Sequence, residues 1–187
     1  MQNEKIKNEI CKCGRVHEGK HSPHYNEGTN SEIAFVFSCP GRLEKNNCFP
    51  VSGATGKAFD VLLNLLKEKG IIKENFYCRY DFRIANATEN IEYEKGTGKS
   101  QANDSEVIKD ENIQRLFNQI KNYDRIICFG TKAKLAVSKM KNKLKNQHIS
   151  YVRHLSTQAF INEKGIDKTS DGRARFVYNQ ILTQDTG

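Results

Sequence analysis

Three short segments of this 187-residue chain carry residue types at spacings that could do chemistry. The first is Ser38-Cys39-Pro40-Gly41, followed after a polar gap by Pro50-Val51-Ser52-Gly53-Ala54-Thr55-Gly56. It reads as the end of a buried strand, a turn, a glycine-rich loop and a helix beginning near Lys57. That layout puts a ligand at the carboxyl end of a strand, against loop backbone and a helix start. The second segment is Arg83-Ile84-Ala85-Asn86-Ala87 and the third Val152-Arg153-His154-Leu155-Ser156. Each sets one polar side chain at a strand end. A lone histidine is more often structural than catalytic, and an asparagine often only caps a turn. The convergence of all three segments points to an enzyme.

Two other arrangements invite a reading. Gly53-Ala54-Thr55-Gly56-Lys57 suggests a phosphate-binding P-loop, but Val51 stands where the first glycine belongs and Ala58 replaces the Ser or Thr that would hold magnesium. Cys11, Cys13, His17, His21 and His24 offer thiolate and imidazole to a structural zinc ion. Paired zinc cysteines usually stand two to four residues apart, and Cys-Lys-Cys is tighter. The other reading is a polar tail whose thiols and imidazoles are incidental.

These segments need elements to position them. Residues 33–38 form a short apolar run of strand length. Residues 58–69 place Phe59, Leu62, Leu63, Leu65 and Leu66 at helical spacing, and Gly70 ends that helix. Residues 76–87 alternate aromatic and β-branched side chains with polar ones, as one or two strand pieces do. Residues 88–104 read as a long polar loop. A helix is expected from about Ser105, with Ile113, Leu116, Phe117 and Ile120 on one face. Residues 125–129 form the next buried strand, and Gly130-Thr131 leads into a helix from Lys132 that continues through residues 139–145. Residues 149–152 are a last strand and 171–182 a terminal helix. Strands alternating with helices predict a three-layer α/β/α sandwich around a central, mostly parallel four-stranded sheet. Its strand ends gather residues 38–56, Asn86, Gly130 and His154 on one edge. The organisation expected is a polar extension over 1–30, one α/β domain over 31–183, and a short tail over 184–187.

Composition narrows the partners. Thirty Lys and Arg against 22 Asp and Glu give a net charge of +8, which attracts polyanions, nucleic acid foremost. The alternative is a basic surface that serves solubility. No apolar run approaches the roughly 20 residues that span a bilayer, and the first 30 residues are too polar for a secretory signal. Six cysteines without a signal segment argue against a disulfide framework and for a cytoplasmic protein.

The order of these segments resembles the uracil-DNA glycosylase superfamily, its small bacterial branches most of all. Ser38-Cys39-Pro40-Gly41 with Glu44, then Pro50-Val51-Ser52-Gly53 and Gly56, is similar to that family's first motif. Ile84-Ala85-Asn86-Ala87 is similar to its Ile-Thr-Asn-Val strand end, and residues 125–133 to its Val-Ile-x-Leu-Gly-x-x-Ala segment. His154-Leu155-Ser156 occupies the place of its His-Pro-Ser. The resemblance spans about residues 32–160. It implies a monofunctional DNA glycosylase that flips a pyrimidine nucleotide out of the stack and hydrolyses its N-glycosidic bond, leaving an abasic site. It further implies that the Asn86 amide, at once donor and acceptor, reads the base edge. By the same likeness His154 donates a hydrogen bond where negative charge grows on the departing base. The backbone from Ser38 through Cys39 and Pro40 to Gly41 completes the pocket. Ser52, Gly53 and Ser156 touch flanking phosphates, and segment 156–161, Gln158 included, lies at the minor groove. Lys57, Arg153 and the lysines of 139–145 hold the DNA backbone.

Departures from the family pattern sharpen the expectation. Ser38 and Cys39 stand where most branches carry an Asp, Asn or Glu, which leaves Glu44 or Asp81 to orient the water. Val51 stands where the family stacks an aromatic ring on uracil, with Phe49 near enough to substitute. The cysteines that hold an iron–sulfur cluster in one branch are missing, so no cluster and no cofactor for the chemistry is expected. A pocket without the ring suits a bulkier pyrimidine, such as glucosylated hydroxymethylcytosine of phage DNA removed in bacterial defence. Ordinary uracil excision in base-excision repair, a catalytically silent DNA-binding module and an unrelated small-molecule α/β enzyme stay open as alternatives. A monomer is expected, with DNA as partner and no membrane.

Overall fold

The computed structural model describes residues 20–73, 75–76, 78–93, 96, 98 and 101–185. Its spine is a strand of five buried residues, Ile33–Phe37 (β3), the kind of unbroken apolar run that needs cover on both faces. Alternation along β3 divides the core. Ile33, Phe35 and Phe37 face one hydrophobic cluster with Phe59, Leu62, Leu66, Val177 and Ile181. Ala34 and Val36 face a second with Leu116, Ile120, Ala133, Ala136 and Val137. The first cluster is covered by the helices Ala54–Glu68 (α2) and Ser170–Asp185 (α6). The second is covered by Asp110–Ile120 (α4) and Gly130–Lys139 (α5). Two shorter helices, Arg42–Asn47 (α1) and Asp104–Val107 (α3), complete the six among the described residues.

The fold is mixed α/β with a six-stranded, mostly parallel sheet rather than the four strands expected. The inner four strands are parallel: β3 lies between Arg83–Asn86 (β4) and Arg125–Phe129 (β5), and β5 pairs with His148–Val152 (β6). Two short antiparallel strands, His21–Ser22 (β1) and Tyr25–Asn26 (β2), extend the β4 edge. They lie in the stretch read from sequence as an extension. The buried Asn26 fixes them, donating from Nδ2 to the carbonyls of Tyr80 and Phe82 at 2.9 and 2.8 Å. Phe37 and Phe129 stack at 4.4 Å, and both meet Phe59 edge-on, contacts worth about 0.5–1.5 kcal/mol each beyond area burial.

Register decides what converges. Phe37 pairs with Asn86, and Phe129 with Val152, so the parallel strands end together. Ser38, Asn86, Gly130 and His154 therefore meet at one edge.

Helix bounds depart from expectation where side chains bid for backbone. The helix expected from Ser105 breaks after Val107, because Asn112 Nδ2 donates to the Val107 carbonyl at 2.7 Å and restarts the chain as α4. Helix α5 stops at Lys139 instead of running through 145, since Met140 and Leu144 bury themselves around a 3-10 turn, Lys141–Lys143. Helix α6 runs past the expected Leu182 to Asp185, whose carboxylate meets Arg125 at 3.0 Å and His148 at 2.9 Å. No described helix is long and apolar enough to cross a membrane.

Candidate active site

A cavity of about 820 Å³ opens at the carboxyl edge of the parallel strands. Both of the strand-end residues singled out in the sequence line it. Asn86 is only 2 % exposed, and its backbone is clamped on both sides. Its N–H donates to the His24 carbonyl at 2.9 Å, and its carbonyl accepts from Arg115 Nη2 at 3.0 Å. Its side-chain amide makes no hydrogen bond to another described residue, so donor and acceptor both stay available to a ligand in the cavity.

His154 lines the same cavity beyond β6, its ring edge-on to Phe37 with centroids 5.9 Å apart. Nδ1 accepts the backbone N–H of Ser156 at 3.1 Å. A nitrogen that accepts an N–H carries no proton, so the proton of the neutral ring sits on Nε2. Burial among protein atoms pulls the His154 pKa down to about 4, which keeps the ring neutral at pH 7. Gly130 makes room for it. It adopts φ +86°, and a Cβ there would stand 3.0 Å from His154 Cβ.

Beyond β3 and β4 the two chains stay zipped. Ala87, Thr88 and Glu92 donate their N–H groups to the carbonyls of Phe37, Ser38 and Pro40 at 2.8, 3.3 and 2.9 Å. This ladder holds Ser38, Cys39 and Gly41 at the cavity wall, with Pro40 buried behind them. Glu44 clips the turn to the next loop, accepting from Gly41 N–H at 3.0 Å and Ser52 N–H at 2.9 Å. Its carboxylate lines the cavity, but each of its oxygens already has a backbone partner. Burial first, then the carboxylates of Glu92 and Glu44, push the Cys39 thiol up. At neutral pH it is no thiolate nucleophile.

Several expected contacts fall elsewhere. Phe49 does not take the stacking place: it is buried between His21, at 3.8 Å, and Tyr80, at 4.8 Å. Asp81 is buried in a 3-10 turn, Arg79–Asp81, where Oδ2 accepts from Cys78 N–H at 3.0 Å, and it is not part of the cavity wall. Ser52 donates its hydroxyl to the Phe49 carbonyl at 2.6 Å, so that proton is not available to a phosphate. Arg153 does line the cavity, where it pairs with Glu163, donates to the Ala159 carbonyl at 2.7 Å and lies over Phe160 and Phe176, which makes it a brace for segment 156–163. The lysines of 139–145 follow the end of α5, a ten-residue helix that leaves the cavity edge, and so lie about 15 Å back along the sheet. Lys57 is exposed in the first turn of α2, whose N-cap Gly53 offers no side-chain cap. Ser156 and Gln158 line the cavity as well.

Val51 does line the cavity, in a conformation no sequence signal announced. It sits at φ 54°, a strained value for a β-branched residue. Arg79 holds it there, donating from Nη1 to the Val51 carbonyl at 2.5 Å while Nε reaches Asp60 Oδ1 at 2.8 Å. Gly56 is required beneath that bracket, because a Cβ there would lie 1.7 Å from Arg79 Nη1.

Residues not foreseen add to the wall, among them Thr55, Glu92, Gln101, Thr131 and Lys134. Glu92 and Gln101 belong to a polar loop and could not be told from solvated surface by sequence. Of the zinc candidates, Cys11, Cys13 and His17 lie outside the described residues. His21 donates from Nδ1 toward the Cys48 carbonyl at 3.2 Å, and His24 lies 2.9 Å from Glu89. Among the described residues no group of three metal-ligating side chains forms. In comparison with known proteins, the chain matches no family model and no curated protein sequence.

Proposed function

We propose that this chain is a monofunctional DNA glycosylase of the uracil-DNA glycosylase type. One observation carries the reading: a neutral histidine whose Nδ1 is tied to Ser156 N–H shares a cavity with an asparagine amide left free for a ligand. In this reading a pyrimidine nucleotide flips out of the duplex into the cavity, and Asn86 reads its edge. The bond from C1′ of the sugar to the base nitrogen breaks, and the base departs with the electron pair. His154 Nε2–H donates a hydrogen bond to the pyrimidine oxygen that gathers this charge. A water oxygen then bonds to C1′, and its proton passes through solvent to the departed base anion, which leaves an abasic site and the neutral free base. A neutral imidazole suits the task because it stabilises the anion without transferring a full proton.

The surroundings support this assignment. The uncapped start of α2, with Lys57 in its first turn, offers backbone N–H groups and charge to a phosphate. Ile161 is 52 % exposed beside the cavity-lining Gln158 and Ala159, and it supplies an apolar side chain to fill the space the base vacates. Val51, rather than an aromatic ring at that position, lines the cavity, which leaves space for a substituent on the base. The substrate we favour is accordingly a modified pyrimidine such as glucosylated hydroxymethylcytosine in phage DNA.

The test is alkaline cleavage of end-labelled duplexes holding uracil, hydroxymethyluracil, hydroxymethylcytosine or glucosylated hydroxymethylcytosine. Wild type is expected to create abasic sites at one of these bases, and Asn86→Ala and His154→Ala to lose that activity. Uracil as the base released would assign ordinary uracil repair. Silence on every duplex with DNA still bound would identify a binding module of the same fold.

A further inference from the structure

The cavity contains a carboxylate that the scheme above does not use. Glu92 is 8 % exposed, and its Oε2 is buried without a hydrogen-bond partner among the described residues. It is not a loose surface acid. Its backbone N–H is fixed to the Pro40 carbonyl at 2.9 Å, one residue before Gly41 in the turn that forms the cavity wall. A buried acceptor without a donor forfeits the full value of the hydrogen bonds it had in water, so a site keeps one only where something completes it. Gln101, Thr131 and Lys134 line the cavity with Glu92, which gives it a polar portion in addition to Asn86 and His154.

We infer that Glu92 is a specificity-determining residue that accepts a hydrogen bond from an exocyclic donor on the flipped base, at carbon 4 or on the carbon-5 substituent, and so selects bases that carry one. The inference rests on the glycosylase reading and adds to it the class of base. A carboxylate accepts hydrogen bonds and donates none. Facing it with the carbonyl oxygen on carbon 4 of uracil would set acceptor against acceptor. The exocyclic amine of a cytosine-type ring is one source of the donor, and carboxylates are established acceptors for that amine. A hydroxyl on a substituent at carbon 5 is the other. Both meet Glu92 by the same chemistry.

The experiment compares wild type with the isosteric Glu92→Gln and with Glu92→Ala. Base release is measured on duplexes of one sequence holding uracil, cytosine, hydroxymethyluracil, hydroxymethylcytosine or glucosylated hydroxymethylcytosine. Loss of that buried hydrogen bond predicts that the release ratio of bases with such an exocyclic donor to uracil falls roughly tenfold to hundredfold in both variants. A fall in the cytosine-to-uracil ratio assigns the amine, and a fall in the hydroxymethyluracil-to-uracil ratio assigns the hydroxyl. Unchanged ratios, whether every rate drops or none does, overturn the inference. The same bases, titrated as free nucleosides by calorimetry, read the preference without bond cleavage. Donor-dependent binding lost in Glu92→Gln, with no release from any duplex, would keep the role of Glu92 and remove the glycosylase reading. Nucleoside binding indifferent to Glu92 would remove that role.

Discussion

The backbone N–H of Ser156 donates to Nδ1 of His154 at 3.1 Å, two residues away, and this bond fixes which nitrogen of the ring can donate into the cavity. Ser156 also caps the 3-10 turn Thr157–Phe160 that follows, so turn and tautomer are set by the same backbone.

His154 has a pKa pulled from 6.5 to about 4 by burial, and that makes it a probe of stability. Between those two values the unfolded chain binds the proton and the folded chain does not. Stability therefore falls as pH drops from about 6.5 toward 4, by up to about 1.4 kcal/mol per unit from this group, and is insensitive to it above 6.5. Urea unfolding across that window should show the slope in wild type and a smaller one in His154→Asn. The rate of base release should be level from pH 6.5 to 8. A rate that declines as pH rises through 6.5 would mean that the charged imidazolium is the working form.

Gly130→Ala tests the space beneath that ring. The substitution forces a side chain onto φ +86° and sets a Cβ 3.0 Å from His154 Cβ. Thermal unfolding should show a loss of about 1–3 kcal/mol, and the His154 ring resonances should shift. An unaltered ring environment would separate Gly130 from the site.

Arg79 braces the strained Val51 through its carbonyl while paired with Asp60. Lysine cannot serve both partners from one planar fork. Arg79→Lys should cost about 1–3 kcal/mol and slow base release beyond the loss in folded fraction. Wild-type release in a fully folded Arg79→Lys protein would show that the conformation of Val51 is not held from behind.

Cys39 should be a sluggish thiol. Burial and the nearby Glu92 and Glu44 carboxylates raise its pKa, so at pH 7 its alkylation by iodoacetamide should run slower than that of free cysteine and should accelerate with rising pH. Mass spectrometry of the labelled peptide gives the rate. Fast labelling at pH 7 would restore Cys39 as a nucleophile.

The sheet edge was legible because buried strands announce themselves as apolar runs, and parallel register then brings their ends together. Asn86, Gly130 and His154 follow from that alone. The neighbours of Arg153 and Phe49 were not legible, because sequence shows a charge or a ring but not what it packs against: Arg153 donates to the Ala159 carbonyl and Phe49 stacks on His21. Glu92 was hidden for the opposite reason. It lies among polar residues where an acid is ordinarily solvated, and only the hydrogen bond to Pro40 carries it into the cavity. Val51 gave no sign either, since a left-handed backbone at a β-branched residue is imposed by tertiary contacts such as that of Arg79.

The central claim is that the cavity releases a base by hydrolysis. Phage DNA carrying glucosylated hydroxymethylcytosine, incubated with wild type and with His154→Ala, tests it most directly, with the free base read by mass spectrometry and abasic sites by aldehyde labelling. The account predicts free modified base and matching abasic sites with wild type, and neither with His154→Ala. DNA that is bound but intact, on this substrate and on uracil duplexes alike, would contradict it.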